Sequence, residues 1–232
     1  MIKLLPILLL IVAVLAIFRY NVWRMGRALR RQSRPLHHDQ LDKMLGRLAE
    51  AAGIDGIEVR LLENPMPNGL ATPEGEIYLT SGLFRHFQSG RLGVHEVASV
   101  IAHELGHLAL GHTRRRMIDM AGAQTAQIIL GGILARFIGI LGWYASQFLV
   151  SLFIARISRG DEFEADAYAT ALMMRAGLGA EPQARMLEKL EQILPQNLMA
   201  QQTSWLASHP PVAERTAAIR ANAARWGERA HG

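Results

Sequence analysis

The chain has 232 residues, a hydrophobic content of 50% and a formal net charge of +5. This length allows one compact domain with appendages, and the apolar content leaves residues for membrane contact besides a core. Because cysteine is absent, disulfides, a cysteine-ligated zinc and a thiol nucleophile are excluded. The basic residues cluster beside apolar segments, so we expect membrane lipid, and no nucleic acid, among the partners.

An apolar segment over residues 4–18 opens the chain. With its neighbours it makes about 17 residues, the short end for a helix that crosses a membrane. Arginines follow at positions 19, 24, 27, 30, 31 and 34, against one lysine ahead of the segment. By the positive-inside rule we expect residues 1–20 to be an uncleaved anchor and residues 21–38 a basic linker, with the next domain on the cytoplasmic side of a bacterial inner membrane. A cleaved signal peptide with export is the alternative.

Periodicity and turn signals predict a small sheet between the anchor and the middle of the chain. They predict a break at residues 33–35, a helix over residues 40–52 capped by Asp39, strands over 57–62, 70–72 and 76–80, and a short helix over 81–88. We expect the sheet to be antiparallel. Its candidate edge strand would hold the main chain of a peptide substrate through Asn68, Gly69, Leu70 and Ala71. An ordinary hairpin fits the same pattern.

The sequence His103-Glu104-Leu105-Gly106-His107 lies in an apolar, helix-forming stretch. Residues four apart share one face of a helix about 6 Å from each other, so His103 and His107 can bind one metal ion. Glu104 lies beside the first of them and can reach a water on that metal as a general base. The pattern is typical of zinc hydrolases. A helix that carries two histidines by chance is the alternative.

A catalytic zinc needs a third protein ligand and one open position. A third histidine on the same helix does not fit, because Leu110 and Thr113 occupy the positions where that motif needs glycine and histidine. His112 is one residue off, and its angle on a continuous helix would point it elsewhere. We interpret it as a helix-end residue, followed by a basic cluster at residues 114–116 near a membrane or a helix terminus.

A downstream acidic cluster supplies the missing ligand. Glu162 and Asp166 are four residues apart, so both face one direction on a helix. We expect one of this pair to bind the zinc and the other to orient a ligand histidine. Glu164 points about 200° away from Glu162 and is the weaker candidate. The alternative is a solvated helix start.

Taken together, four blocks of sequence resemble an integral-membrane metallopeptidase family, that of HtpX, Oma1 and the type-1 CAAX prenyl protease. The blocks are the His103–His107 motif, Glu162-Phe163-Glu164-Ala165-Asp166-Ala167, Ser208-His209-Pro210-Pro211 with Glu214-Arg215, and Asn68-Gly69-Leu70-Ala71-Thr72 with Ile77-Tyr78-Leu79-Thr80-Ser81-Gly82-Leu83. The resemblance implies an α+β, mostly α, zincin-type domain over residues 39–225, of the gluzincin kind, with one zinc ion per chain. It also implies that Glu162 is the third zinc ligand, that Asp166 orients a ligand histidine and that His209 lies near the transition-state oxyanion. The HtpX branch carries two transmembrane helices ahead of the zinc motif, whereas one is visible here.

Between the predicted ligands lies an apolar insertion over residues 118–157. Both of its ends must lie on the same side of any membrane, so it crosses either twice or not at all. About 40 residues, with Asp119 and Arg136 among them, are marginal for two crossings. We expect two long helices that pack on the domain or dip into the membrane without spanning it, and a buried hairpin of a soluble domain is the alternative. Further helices are predicted over residues 181–194 and 212–225.

These patterns predict a membrane-associated zinc metalloendopeptidase that cleaves polypeptide substrates. The resemblance suggests a role in membrane-protein quality control. The alternative is a non-enzymatic, membrane-anchored scaffold or chaperone with a structural zinc. Structural zinc sites are closed by four protein ligands, and the sequence offers three.

Overall fold

The computed structural model describes residues 4–193 and 210–230. In chain order the elements are α1 (Leu4–Arg31), β1 (Ser33–Pro35), α2 (Asp39–Ala52), β2 (Val59–Leu62), β3 (Gly69–Ala71), β4 (Ile77–Thr80), α3 (Ser81–Gln88), α4 (Val94–Ala109), α5 (His112–Ile138), α6 (Ile140–Arg175), α7 (Glu181–Ile193) and α8 (Val212–Ala230). The expected mostly helical α+β architecture, with a small sheet beside the helix of the histidine motif, is confirmed. Helix α2 begins at Asp39 itself, with His38 in the N-cap position, and its last residue, Ala52, is followed by Gly53 in the left-handed region (φ 71°).

The sheet is mixed rather than antiparallel throughout. Its strand order is β1-β2-β4-β3. Strands β2 and β4 run parallel, while each edge strand is antiparallel to its neighbour. The central pair is parallel because β3 lies on the far side of β4: the chain leaving β2 reverses once at β3 and returns through β4 in its original direction. Strand β3 therefore pairs with β4 on one side only, and its other side is a free edge of the sheet.

The predicted break at residues 33–35 ends α1 but then forms the other edge strand, β1. Proline is tolerated there because an edge strand has one side without ladder partners. The helix before it is continuous, so the first part of the expected basic linker, residues 21–31, extends α1 rather than forming a loop. A 2.8 Å ion pair between Arg30 and Glu76 fixes the end of α1 to the sheet.

Helix α4 runs through the centre of the domain. It begins after Gly93, whose N–H donates to the Glu96 carboxylate at 2.7 Å, a capping contact that satisfies one free donor of the first turn. Val97 and Ile101, one turn apart, are fully buried against the sheet and α2. The opposite side of α4 carries the two histidines of the motif and packs against α6 and α7. The 3.6-residue period therefore separates a core face from a cleft face.

Helices α5 and α6 form a hairpin joined at Gly139, a glycine with φ 62°. The described apolar side chains near its turn do not pack on the domain: Phe137 is 78% exposed and Ile140 is 71% exposed. Among the described residues, α6 is the helix that is long and apolar enough to cross a membrane, and 125–138 is a shorter apolar stretch. A buried hairpin of a soluble domain does not fit these exposures.

Candidate metal centre

The structure brings His103, His107 and Glu162 together at the bottom of a cleft. The Nε2 atoms of the two histidines are 3.1 Å apart. From α6, Glu162 places one carboxylate oxygen 3.5 Å from His103 Nε2 and the other 3.4 Å from His107 Nε2. The Glu162 side chain is fully buried, so its carboxylate needs neighbouring positive charge.

These separations fit a tetrahedral metal ion. Ligand atoms about 2.0–2.1 Å from a tetrahedral centre lie about 3.3 Å from one another. The histidine nitrogens lie 3.1 Å apart, and each lies 3.4 or 3.5 Å from a different oxygen of Glu162, so all of these separations are close to that value. Two imidazoles and one carboxylate are also the donor set of many catalytic zinc sites. The residues present can therefore hold one divalent metal ion.

Asp166 lies one turn beyond Glu162 and contacts the outer nitrogen of the first histidine. Its Oδ1 is 3.0 Å from His103 Nδ1. Arg215, from the first turn of α8, holds the same carboxylate through two hydrogen bonds of 2.6 and 2.8 Å. Burial alone would raise the Asp166 pKa, but the Arg215 charge, together with hydrogen bonds from Arg215 and His103, lowers it to about 2. Asp166 is therefore a charged acceptor for His103 at neutral pH.

The two histidines have opposite pKa shifts in the metal-free site. Burial lowers the pKa of His103, but hydrogen bonds to Asp166 and Glu162 outweigh it and raise that pKa to about 9. Burial dominates at His107 and lowers its pKa to about 4. A metal ion must therefore displace a proton from His103, whereas His107 is already neutral at pH 7.

His112 contacts the outer nitrogen of the second histidine, contrary to the orientation expected from the sequence. Its Nδ1 is 3.1 Å from His107 Nδ1, and its Nε2 is 3.0 Å from Glu164 Oε2. The expectation assumed one continuous helix, but α4 ends at Ala109 and Gly111 adopts φ 71°. The chain changes direction there, so the angle of 100° per residue no longer applies at His112.

The basic cluster at residues 114–116 lies in the first turns of α5, at a helix terminus as expected. Two of its arginines also bind acidic groups of α6, which the sequence did not predict. Arg116 donates to Glu162 at 2.8 Å and approaches Asp161 at 3.4 Å, and Arg115 also binds Asp161. Arg114 is exposed. These pairs fix the start of α5 to the ligand-bearing turn of α6.

Glu104 faces the cleft beside the metal ligands. It accepts a hydrogen bond from the backbone N–H of Ala71. Burial raises its pKa above the ordinary value; His103 opposes this shift and Glu162 adds to it. A carboxylate of raised pKa is better suited to take up and release a proton.

The predicted substrate strand lies along this cleft as β3, residues Gly69–Ala71. Thr72 N–H donates to Glu76 and Thr80 N–H donates to Asn68, so the even-numbered residues of the segment pair with β4. The backbone groups of Gly69 and Ala71 therefore point to the free edge. A Cβ at residue 69 would stand 2.6 Å from Val100 on α4, so this approach requires glycine.

The cleft has a volume of about 550 Å³, and apolar side chains from three elements line much of it. Met25 and Leu29 come from α1, Leu70 from β3, and Met186 and Leu190 from α7. The end of the N-terminal helix therefore forms one wall of the cleft. Such a lining suits an extended chain with apolar side chains.

Sequence reasoning missed the contacts that three residues make in this site. It placed His112 and Arg116 at a helix end and quoted Arg215 in a motif, but it gave none of them a part in holding the ligands, although a buried carboxylate such as Asp166 is usually paired with a positive charge. No spacing rule pointed to Arg215, which is 49 residues from Asp166. His209, implied by the resemblance, lies outside the described residues.

Comparison with known proteins identifies the family of the chain. Residues 35–223 match the family model of peptidase family M48. The chain is 31% identical over 160 residues to the metalloprotease LoiP of Escherichia coli, which covers 66% of this chain and 57% of LoiP. It is 28% identical over 211 residues to the protease HtpX of Nitrosococcus oceani (75% of this chain, 68% of HtpX). It is also 28% identical over 170 residues to the mitochondrial metalloendopeptidase OMA1 of Arabidopsis thaliana (72% of this chain, 32% of OMA1). The chain thus spans between about a third and two thirds of these relatives, and it belongs to peptidase family M48.

Proposed function

We propose that this protein is a membrane-associated zinc metalloendopeptidase. One zinc ion per chain is held by His103, His107 and Glu162. The observation that carries this proposal is the convergence of three ligand side chains, with the two Nε2 atoms 3.1 Å apart and the two Glu162 oxygens 3.4 and 3.5 Å from them, beside a carboxylate that is not itself a ligand. The scaffold alternative requires a closed site with four protein ligands, whereas the convergent group among the described residues has three.

Glu104 is the proposed general base. When bound, zinc supplies a Lewis acid and lowers the pKa of water at its open position to about 7. Glu104 takes the proton from the attacking water and delivers it to the leaving amine of the scissile bond. The raised pKa of Glu104 suits both halves of this transfer. His209 is proposed to stabilise the oxyanion, on the family resemblance alone.

The polypeptide substrate would add a strand to the edge of β3. The outward N–H and C=O of Gly69 and the outward C=O of Ala71 supply main-chain hydrogen bonds, with Asn68 and Leu70 on the β4 side of the same segment. Ala71 also touches Glu104 through its N–H. A chain bound at this edge would therefore lie next to the proposed base and ligands.

Two elements support membrane association. Helix α1 carries Tyr20 and Trp23, exposed aromatics typical of a membrane interface, just before its run of arginines. The apolar segment 125–138 of α5 rises about 21 Å, short of the hydrocarbon core of about 30 Å. We propose that α1 is the anchor and that the α5–α6 hairpin dips into lipid from the side of the domain. The charge rule favours the cytoplasmic side of a bacterial inner membrane, and the resemblance favours membrane-protein quality control.

Metal analysis and casein cleavage by the full-length protein in detergent test this proposal. We expect about one zinc per chain, with cleavage lost on chelation and restored by zinc. Glu104→Gln should keep the zinc and lose at least about 100-fold in rate. Glu58→Gln, an exposed glutamate outside α4, is the control and should cleave normally. A Glu104→Gln protein that cleaves at the wild-type rate would contradict the mechanism, and a wild-type protein without bound metal would contradict the site.

A further inference from the structure

We propose that His112 is a positioning residue that sets the orientation and tautomer of the metal ligand His107. The inference rests on the proposed zinc site. It concerns an interaction outside the three ligands and outside the Asp166–His103 contact. Its basis is a line of ring nitrogens and oxygens that runs from the metal-facing atom of His107 to the protein surface.

One tautomer assignment satisfies every contact in this line. To bind a metal through Nε2, a neutral His107 must carry its proton on Nδ1. That N–H then donates across 3.1 Å to His112 Nδ1, which must be an acceptor. His112 consequently carries its proton on Nε2, where Glu164 Oε2 accepts it at 3.0 Å. With the opposite tautomer of His112, two N–H groups would face each other.

The surroundings of His112 support this role. Its side chain is fully buried, and Gly111 in the left-handed region (φ 71°) aims it back at α4. Glu164 is 60% exposed, so this carboxylate reaches from the surface to a buried ring. Asp161 lies 3.8 Å from the same nitrogen, beyond hydrogen-bond range, and is held by two arginines. Glu164 is therefore the acceptor that fixes the His112 tautomer.

The two ligand histidines are thus held differently. His103 is backed directly by a charged carboxylate, Asp166. His107 is backed by a neutral imidazole, with Glu164 one step further away. Partners of this kind orient a ligand ring, and their loss commonly weakens metal binding about 10- to 100-fold. We expect His112 to contribute within that range.

Zinc affinity, measured by competition with a chromophoric chelator on the full-length protein in detergent, tests the proposal. His112→Leu should weaken zinc binding about 10- to 100-fold. His112→Asn, whose Oδ1 can accept the His107 proton in place of Nδ1, should stay close to wild type. His37→Leu, a change at an exposed histidine, is the matched control and should have no effect. A folded His112→Leu protein that binds zinc as tightly as wild type would overturn the positioning role while leaving the zinc site intact. Wild-type protein that binds no zinc would overturn both.

A measurement on the unaltered chain covers the case in which His112→Leu does not fold. Nitrogen-15 NMR of the histidine rings in the zinc-loaded wild-type protein reports which nitrogen carries the proton. We expect His107 to be protonated at Nδ1 and His112 at Nε2. A zinc-loaded protein with His112 protonated at Nδ1 would overturn the proposal.

Discussion

Gly106 of α4 lies directly against the backbone of Ala165 in α6. A Cβ at residue 106 would stand 3.0 Å from the carbonyl oxygen of Ala165 and 3.1 Å from its Cα. Gly106 precedes the ligand His107, and Ala165 lies between Glu162 and Asp166. The close approach of these two backbones therefore sets the distance between the histidines and the carboxylates.

Replacing Gly106 by alanine should push the two helices apart. We expect Gly106→Ala to lower the free energy of unfolding by about 1–3 kcal/mol, since the atoms in contact are backbone and cannot turn aside. Zinc affinity should fall with it, because the histidines move away from Glu162. Gly46→Ala is the matched control: it lies inside α2 with open space around it, and it should be neutral or stabilising by up to about 1 kcal/mol. Urea unfolding and zinc titration check both, and equal effects of the two variants would contradict the packing argument.

Local spacing predicted much of this site, and long-range contacts explain what it missed. The four-residue intervals His103–His107 and Glu162–Asp166 each determine a helix face, so ligand candidates could be named without a structure. A helical period carries no information across a turn. Because the chain turns at Gly111, the His112 side chain points towards His107, whereas a continuous helix would have pointed it elsewhere. Arg215 could not be found by spacing, because the contact that gives it a role depends on how α8 packs on α6. The parallel β2–β4 pair was missed for a similar reason, since strand patterns do not encode strand order.

Among the arginines that the structure describes in the domain, Arg215 should lower the free energy of unfolding most when it is replaced. Its side chain is 6% exposed and neutralises two buried carboxylates, Asp166 at 2.6 Å and Glu162 at 3.5 Å. Arg215→Met should lower the free energy of unfolding of the metal-free protein by about 3–5 kcal/mol, because it leaves buried charge uncompensated. Added zinc should recover part of this loss by neutralising Glu162.

Arg220 on the same helix supplies the control. It pairs with Glu181 and Glu188 at the surface, where its side chain is 48% exposed, so Arg220→Met should change stability little. Urea unfolding with chelator present compares the two variants. A loss for Arg215→Met as small as that for Arg220→Met would show that the buried pair contributes little.

The depressed pKa of Asp166 makes part of the stability pH-dependent. Its folded pKa of about 2 lies below the ordinary value of 3.8, so the folded state favours the ionised form. The resulting stabilisation is present above about pH 4 and is lost as pH falls towards 2, and its full size is about 2 kcal/mol. In metal-free protein, the difference in unfolding free energy between wild type and Asp166→Asn should shrink by about that amount between pH 5 and pH 2. Glu181→Gln, at an exposed ion pair, should show a much smaller change, and a constant difference for Asp166→Asn would contradict the pKa shift.

The hairpin can be tested by cysteine labelling, because the natural chain has no cysteine to remove. Leu141, 69% exposed beside the turn at Gly139, should lie in lipid if the hairpin dips into the membrane. We therefore expect Leu141→Cys in native membranes to resist a water-soluble maleimide from both sides and to react once the protein is denatured in SDS. Asp55→Cys, in the exposed loop after α2, should react in native membranes from the side of the domain. Labelling of Leu141→Cys only from the side opposite the domain would mean that the hairpin spans the membrane. Labelling from the side of the domain, as fast as that of Asp55→Cys, would mean that the hairpin lies in water. Protection from both sides is specific to the dipping hairpin, because only that arrangement keeps the turn inside the hydrocarbon.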